Sequence, residues 1–194
     1  MPFYTMSALM LLIALVSGLL DECVFKAAKH KLAAFGVLLC LLVFGEQRRV
    51  FTLELIVDLR TLLVLAATFL WCIFGEKGGS IKAVGVSALI CLFPCLLFAF
   101  LEYDAAVLAY GIVSLGALLL IRNPSRTALA CALAPVLSGV VKMLYLHFSI
   151  GYGYIELEGQ TLDLQLTGML FNAFFASLIQ FNRELKRGTV TVQK

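Results

Sequence analysis

Lys142 is the residue whose type and place most invite chemistry. It stands inside an apolar stretch, Thr127 to Phe148, where a basic side chain surrounded by hydrocarbon costs about 3 kcal/mol or more. Three readings fit it. Its long stem can carry the ammonium out to a polar layer; it can form a structural ion pair; or it can meet an acid and make a polar centre for an anionic ligand or a proton-coupled step. The acids in range are Glu102 and Asp104, in a tight turn, and Asp163, in a later polar segment. His147 follows on the same stretch, with Tyr145, Tyr152 and Tyr154 close in sequence. Beside Glu156, Glu158 and Asp163 it could support a metal or acid–base site. The same residues also describe an interfacial layer, which suits amphipathic rings. Lys142, Glu102, Asp104, Asp163 and His147 together are the candidate polar site.

Other chemistry is sparse. The chain has no P-loop, no G-x-S-x-G turn and no zinc-protease helix, so no catalytic or cofactor-binding residues are expected and an enzyme is not the reading. Of the six cysteines, Cys40, Cys72, Cys91, Cys95 and Cys131 lie within apolar runs and Cys23 just beyond one. No pair has C-x-x-C spacing, so small buried hydrophobes are expected rather than a disulfide framework or a metal. Cys91 and Cys95 would share a helical face, the one placement that could attract a soft metal.

The elements that must position these residues follow from composition. The 194 residues are 62% hydrophobic and 14% charged, with a mean hydropathy of +1.00; a soluble domain is typically about a quarter charged. A chain this short cannot hide such an excess in a water-soluble core. Its basic residues fall between apolar runs rather than on one surface with interleaved aromatics, which excludes nucleic acid as a partner.

Apolar runs place seven short spans at about 3–20, 32–45, 59–74, 83–101, 105–121, 127–148 and 164–181. The expected fold is an all-α polytopic bundle in a single domain. Gly78, Gly79 and Ser80 punctuate the third and fourth spans, and Pro94 should kink the fourth. Asn123 offers a cap, with Pro124 at the first helical position of the sixth. Ser114 and Asn172 can hydrogen-bond between helices, and Gly111, Gly116, Ala132 and Gly139 permit close approach.

Residues Met1 to Tyr4 carry no Lys or Arg, while Lys26, Lys29 and Lys31 follow the first run. That is the reverse of a secretory signal and reads as an uncleaved first span with its N-terminus outside. The cytoplasmic segments then hold eleven Lys and Arg and the outer ones three, Arg48, Arg49 and Arg60, which predicts a multi-pass protein of the cell membrane with its C-terminus in the cytoplasm.

Two outer segments alternate polar and apolar residues. Tyr154 to Leu166 does so on both sides of Gly159, and Phe51 to Leu59 does so once. They predict a small outer β-hairpin cap over the bundle.

The layout resembles the YphA-like family of small multi-pass membrane proteins from spore-forming, Gram-positive bacteria. The resemblance lies in Asp21, Glu22 and Lys26 after the first span, the turn Glu102-Tyr103-Asp104, and Asn123-Pro124 opening a helix with Ser138-Gly139. It extends to Asp163 and Gln165 before the last span. Leu164, Leu166 and Thr167 stand where such proteins are aromatic. The resemblance implies topology. Few charges within the spans, no ligand motif and a compact outer cap point to an accessory or structural component of a bacterial envelope or sporulation system, with lipid, other membrane proteins or a second copy as partners. The alternative is a small transporter, or the substrate-binding subunit of one, centred on Lys142 and the outer acids.

Overall fold

The computed structural model describes residues 3–20, 28–44, 48–52, 55–75, 85, 89, 92, 103–121, 123–151, 153, 155–157 and 159–192. Along them run α1 (Phe3–Val16), α2 (Ala28–Val43), β1 (Arg48–Thr52), β2 (Leu55–Asp58), α3 (Leu59–Gly75), α4 (Tyr103–Ile121), α5 (Pro124–Ile150), β3 (Ile155–Leu157) and α6 (Gly159–Val192). The fold is mostly helical, as the apolar runs predict.

Six of the seven predicted spans coincide with these helices, two of them at spanning length. Ser125–Ile150 and Gln160–Arg183 are long and apolar enough to cross a membrane, whereas Tyr4–Val16, Lys31–Val43, Leu59–Ile73 and Ala105–Leu119 are apolar segments of 10–17 residues. At 1.5 Å per residue the 14 residues of α1 rise about 21 Å, short of a hydrocarbon layer of about 30 Å. Hydropathy marks an apolar run but not where its helix ends. The 83–101 span and its Pro94 kink lie outside the described residues, apart from Gly85, Leu89 and Leu92, which are helical. Gly78, Gly79 and Ser80 also lie outside them.

The β-element is a three-stranded sheet in the order β1-β2-β3. β1 and β2 form the antiparallel hairpin, pairing Arg48 with Asp58 and Val50 with Ile56, and β3 joins β2 in parallel, pairing Ile56 with Glu156. The hairpin expected around Gly159 is therefore corrected. Only its first limb is a strand; Gly159 opens α6, and Thr161 to Leu166 is helical. The alternation misleads because its polar members are buried too. Asp163 accepts a hydrogen bond from the Tyr4 backbone N–H, Gln165 donates to the Ala132 carbonyl and Thr167 pairs with Ser7. A helix ringed by neighbours buries every side, so its polar positions mimic a two-residue period.

α6 is the central helix, in contact with α1, α3, α4 and α5. It runs parallel to α1: Tyr4 meets Asp163, Ser7 meets Thr167 at 3.2 Å, and the Leu19 carbonyl accepts from Ser177 at 3.2 Å. Ala8, Leu15, Leu41, Val64, Leu162 and Leu166 form one apolar core, and Tyr110, Ala117, Ala130, Cys131 and Ala134 a second between α4, α5 and α6.

The ends of α5 follow the sequence. Asn123 adopts extended backbone, and its Oδ1 accepts the N–H groups of Ser125 at 3.1 Å and Arg126 at 3.2 Å, with Pro124 in the first turn. Gly151 closes the helix at φ 71° and donates its N–H to the His147 carbonyl; that left-handed position favours glycine.

Candidate functional site

The N-terminal ends of α1, α3 and α6 converge beside the sheet, and four residues bind them together. β2 passes directly into α3 at Asp58, whose Oδ1 caps the helix by accepting the Arg60 backbone N–H at 3.0 Å. The same carboxylate grips the Arg60 side chain two-handedly, with Nε 3.1 and 2.9 Å from its oxygens and Nη2 at 2.6 Å. Asp58 is 0% exposed and Arg60 4%. The guanidinium lies over the Tyr4 ring, 4.6 Å from its centroid, a cation–π contact strengthened by desolvation. Asp163 reaches from α6 to accept the Tyr4 backbone N–H at the positive end of α1 and interacts with the Arg60 charge. The corner is a clamp on three helix starts. Its charged groups engage one another and the helix N–H groups; among the described residues, Arg60 Nη1 and Thr61 Oγ1 are buried with no hydrogen-bond partner.

A second polar cluster repairs a helix defect. Pro135 is buried inside α5. It lacks an N–H for the Cys131 carbonyl one turn earlier, and Tyr110 supplies the donor, its Oη 2.8 Å from that oxygen. Gln165 donates to the next carbonyl, Ala132, at 2.8 Å. Ser114 bonds the carbonyls of Gly111 at 2.6 Å and Gly168 at 3.3 Å, and Asn172 donates to Cys131 Sγ at 3.0 Å and to the Gly168 carbonyl at 2.9 Å. The predicted interhelix roles of Ser114 and Asn172 are present. Gly111 lies against Phe171, whereas Gly116 has nothing within 4 Å of the Cβ it lacks, so it makes no close approach.

Gly168 is the tight point of this cluster. A Cβ there would stand 2.9 Å from Tyr110 Cε1 and 3.2 Å from Cys131 Cβ. Gly168→Ala is expected to destabilise the bundle by about 1–3 kcal/mol, the usual penalty of overpacking, read by chemical unfolding in detergent; unchanged stability would contradict the close approach.

Among the described residues, Lys142, His147 and Asp163 of the sequence-predicted site are not brought together. Lys142 and His147 stand exposed on the C-terminal half of α5, where the His147 ring meets Phe148 edge-on at 5.9 Å. Asp163 is buried with Tyr4 and Arg60, and among the described residues no ion pair joins it to Lys142. Glu102 lies outside the described residues; Asp104 is in α4 and its side chain is not described. Cys72 and Cys131 are buried and Cys40 half-buried, and among the described residues none of the three is in a disulfide; Cys23, Cys91 and Cys95 lie outside the described residues. Sequence reading missed Asp58, Arg60, Tyr4 and Pro135. The adjacency of Asp58 and Arg60 at a strand–helix junction, and a proline within a long apolar run, were the available signals.

The remaining feature is a cavity of about 420 Å³ between α1, α2, α3 and α6, walled by aliphatic side chains such as Leu15, Leu38 and Val64, with Thr68, Trp71 and Asn172 among them.

No family model, curated protein or solved structure matches this chain.

Proposed function

We propose that this chain is a multi-pass integral membrane protein with an accessory, non-catalytic role in a bacterial cell envelope, packed among lipids and other membrane proteins. One observation carries the reading: polarity is inverted. Ser114, Thr127, Gln165, Thr167 and Asn172 are buried and hydrogen-bonded, while Leu32 is 74% exposed, Val43 75% and Phe148 85%. Water would penalise that exposed apolar surface, whereas in lipid an apolar outside and hydrogen-bonded polar contacts between helices are the stable arrangement. The repaired Pro135 defect fits the same solvent, since neighbouring helices satisfy carbonyls freed by membrane prolines.

The proposed topology has seven spans, with the sheet outside, the N-terminus outside and the C-terminus in the cytoplasm. Eleven Lys and Arg on one side against three on the other support it, as does the resemblance in layout to YphA-like proteins. α1 and α6 run parallel, α3 starts beside them, and the short link at 122–123 sets α4 antiparallel to α5. In the proposed topology the fourth span, 83–101, joins the end of α3 to the start of α4. The short helices are accommodated by local thinning of the bilayer and by interfacial residues at their ends.

The transporter alternative depended on Lys142 lining a pocket. Lys142 is exposed, and the cavity wall does not include it, which favours the accessory reading. Lys142→Leu is expected to leave folded yield and unfolding midpoint unchanged; a large loss of stability would mean that Lys142 is held in a structural ion pair. For the whole protein, expression in bacteria should give a chain that stays in the membrane pellet through alkaline carbonate washing and leaves it only with detergent. Release by carbonate alone would overturn the membrane reading.

A further inference from the structure

We propose that the outer half of α5 binds an anionic phospholipid of the outer leaflet, with its phosphate at Lys142, Tyr145 and Ser149 and an acyl chain along Val141, Leu144 and Phe148. The inference rests on the membrane reading above and adds a lipid site to it.

α5 outlasts its neighbours. Gln165 of α6 meets the Ala132 carbonyl. From that level α5 continues about 27 Å to Ile150, whereas α6 begins only about 9 Å away, at Gly159. Tyr4 and Arg60, in the first turns of α1 and α3, gather with Asp163 at the same end of α6. The far half of α5 therefore stands clear of three helix starts. Burial follows this division: residues 127–132 are buried, whereas 141, 142, 144, 145 and 147–150 are exposed. The returning chain covers one side only, where a Cβ on Gly153 would stand 2.5 Å from the Met143 carbonyl oxygen and β3 packs against α5.

The exposed residues sort into two adjoining faces. Lys142, Tyr145 and Ser149 fall at i, i+3 and i+7 and so share one of them. All three are exposed, and among the described residues none of their side chains has a hydrogen bond or an ion pair. One ammonium and two hydroxyls without an acceptor suit a singly charged anion that presents several oxygens. Val141, Leu144 and Phe148 repeat the same spacing on the next face and are exposed too. A phosphodiester carrying hydrocarbon chains matches both faces at once, whereas free phosphate would leave the apolar one uncovered.

Depth points the same way. Tyr145 and His147, whose amphipathic rings suit the interfacial layer, stand about 5–8 Å further out along the axis than Lys142. A lysine stem covers most of that distance and brings the ammonium to the phosphates. The rival occupant is a carboxylate on a helix of another membrane protein. Exposed positions wrap more than half of the circumference of α5, wider than the stripe of about 100° that a single helix contact uses, and lipids surround such a surface.

Leu144→Trp in a Trp71→Phe background sets the single tryptophan of the chain beside the site. The purified full chain is reconstituted in dioleoylphosphatidylcholine vesicles containing rising fractions of acyl-brominated phosphatidylglycerol or phosphatidylcholine, whose bromines quench a tryptophan they touch. Phosphatidylglycerol is expected to occupy the site about 5-fold better, the contribution of one lysine near anionic lipid. Lys142→Gln should bring the two lipids to parity, and Lys142→Arg should keep the preference. If the reporter variant misfolds, native mass spectrometry reads the same site, with one phosphatidylglycerol adduct fewer on Lys142→Gln than on the unsubstituted chain.

A preference that survives Lys142→Gln would overturn the proposal. So would parity of the two lipids with Lys142 in place, which would leave that residue to a carboxylate of another membrane protein. Equal quenching by both lipids keeps the membrane reading and removes this site alone, whereas quenching by neither removes both.

Discussion

Arg60→Met is expected to destabilise the protein by about 3–5 kcal/mol. Asp58 is 0% exposed and its carboxylate is gripped by three side-chain contacts from Arg60, the shortest 2.6 Å. Removing the guanidinium leaves that charge buried and unpaired, and losing one partner of a buried pair costs about that much. It also removes the charge that interacts with Asp163 and the cation over Tyr4, so α1 and α6 loosen together with α3. Asp58→Asn combined with Arg60→Met should recover most of the loss, because no uncompensated charge remains and asparagine still caps α3. Chemical unfolding in detergent reads both variants. A loss below about 1 kcal/mol for Arg60→Met would mean a solvated pair, contradicting the clamp.

Tyr110→Phe should cost about 1–3 kcal/mol, the penalty for a buried carbonyl left without its donor. The carbonyl in question is that of Cys131, which Pro135 cannot serve. The attribution can be isolated. In a Pro135→Ala background the restored backbone N–H reaches Cys131, so Tyr110→Phe should then cost under about 0.5 kcal/mol. A double-mutant cycle measures the difference as a coupling energy. Equal costs in both backgrounds would show that Tyr110 stabilises through ring packing alone and that the proline defect is met elsewhere.

The helices were legible where apolar composition and end signals agreed. Asn123-Pro124 predicted the start of α5, and the cap geometry is as expected. Ser114 and Asn172 were legible as interhelix hydrogen-bonders because a polar group in an apolar run has few other uses. Three matters were not legible. Helix ends were misplaced: the first two spans run past Val16 and Val43, where their helices end, and the last stops short of a helix that reaches Val192, because Leu20 or Phe44 is as apolar outside a helix as within one. The second limb of the supposed hairpin failed because Thr161, Asp163, Gln165 and Thr167 face different neighbours of one central helix, and a sequence pattern cannot say that both faces are inside. The separation of Lys142 from Asp163 has a related reason. Lys142 was singled out by the cost of a charge in lipid, yet it stands exposed on α5, while the pair that is buried, Asp58 and Arg60, sits at a junction where charged residues look ordinary. Its significance depends on Tyr4 and Asp163, separated from it by many tens of residues and brought together only by the parallel packing of α1 and α6.

Whether α6 crosses a membrane with the sheet outside can be read by labelling its two ends. Gln160 at its start and Arg183 at the far end of its apolar segment are both exposed, about 35 Å apart at 1.5 Å per residue. Each would be changed to cysteine in a chain whose six natural cysteines are replaced by alanine, and labelled with a membrane-impermeant maleimide in intact and in lysed bacteria. A spanning α6 in the proposed orientation requires that Gln160→Cys is labelled in intact cells and Arg183→Cys only after lysis. Labelling of both positions from the same side would contradict it.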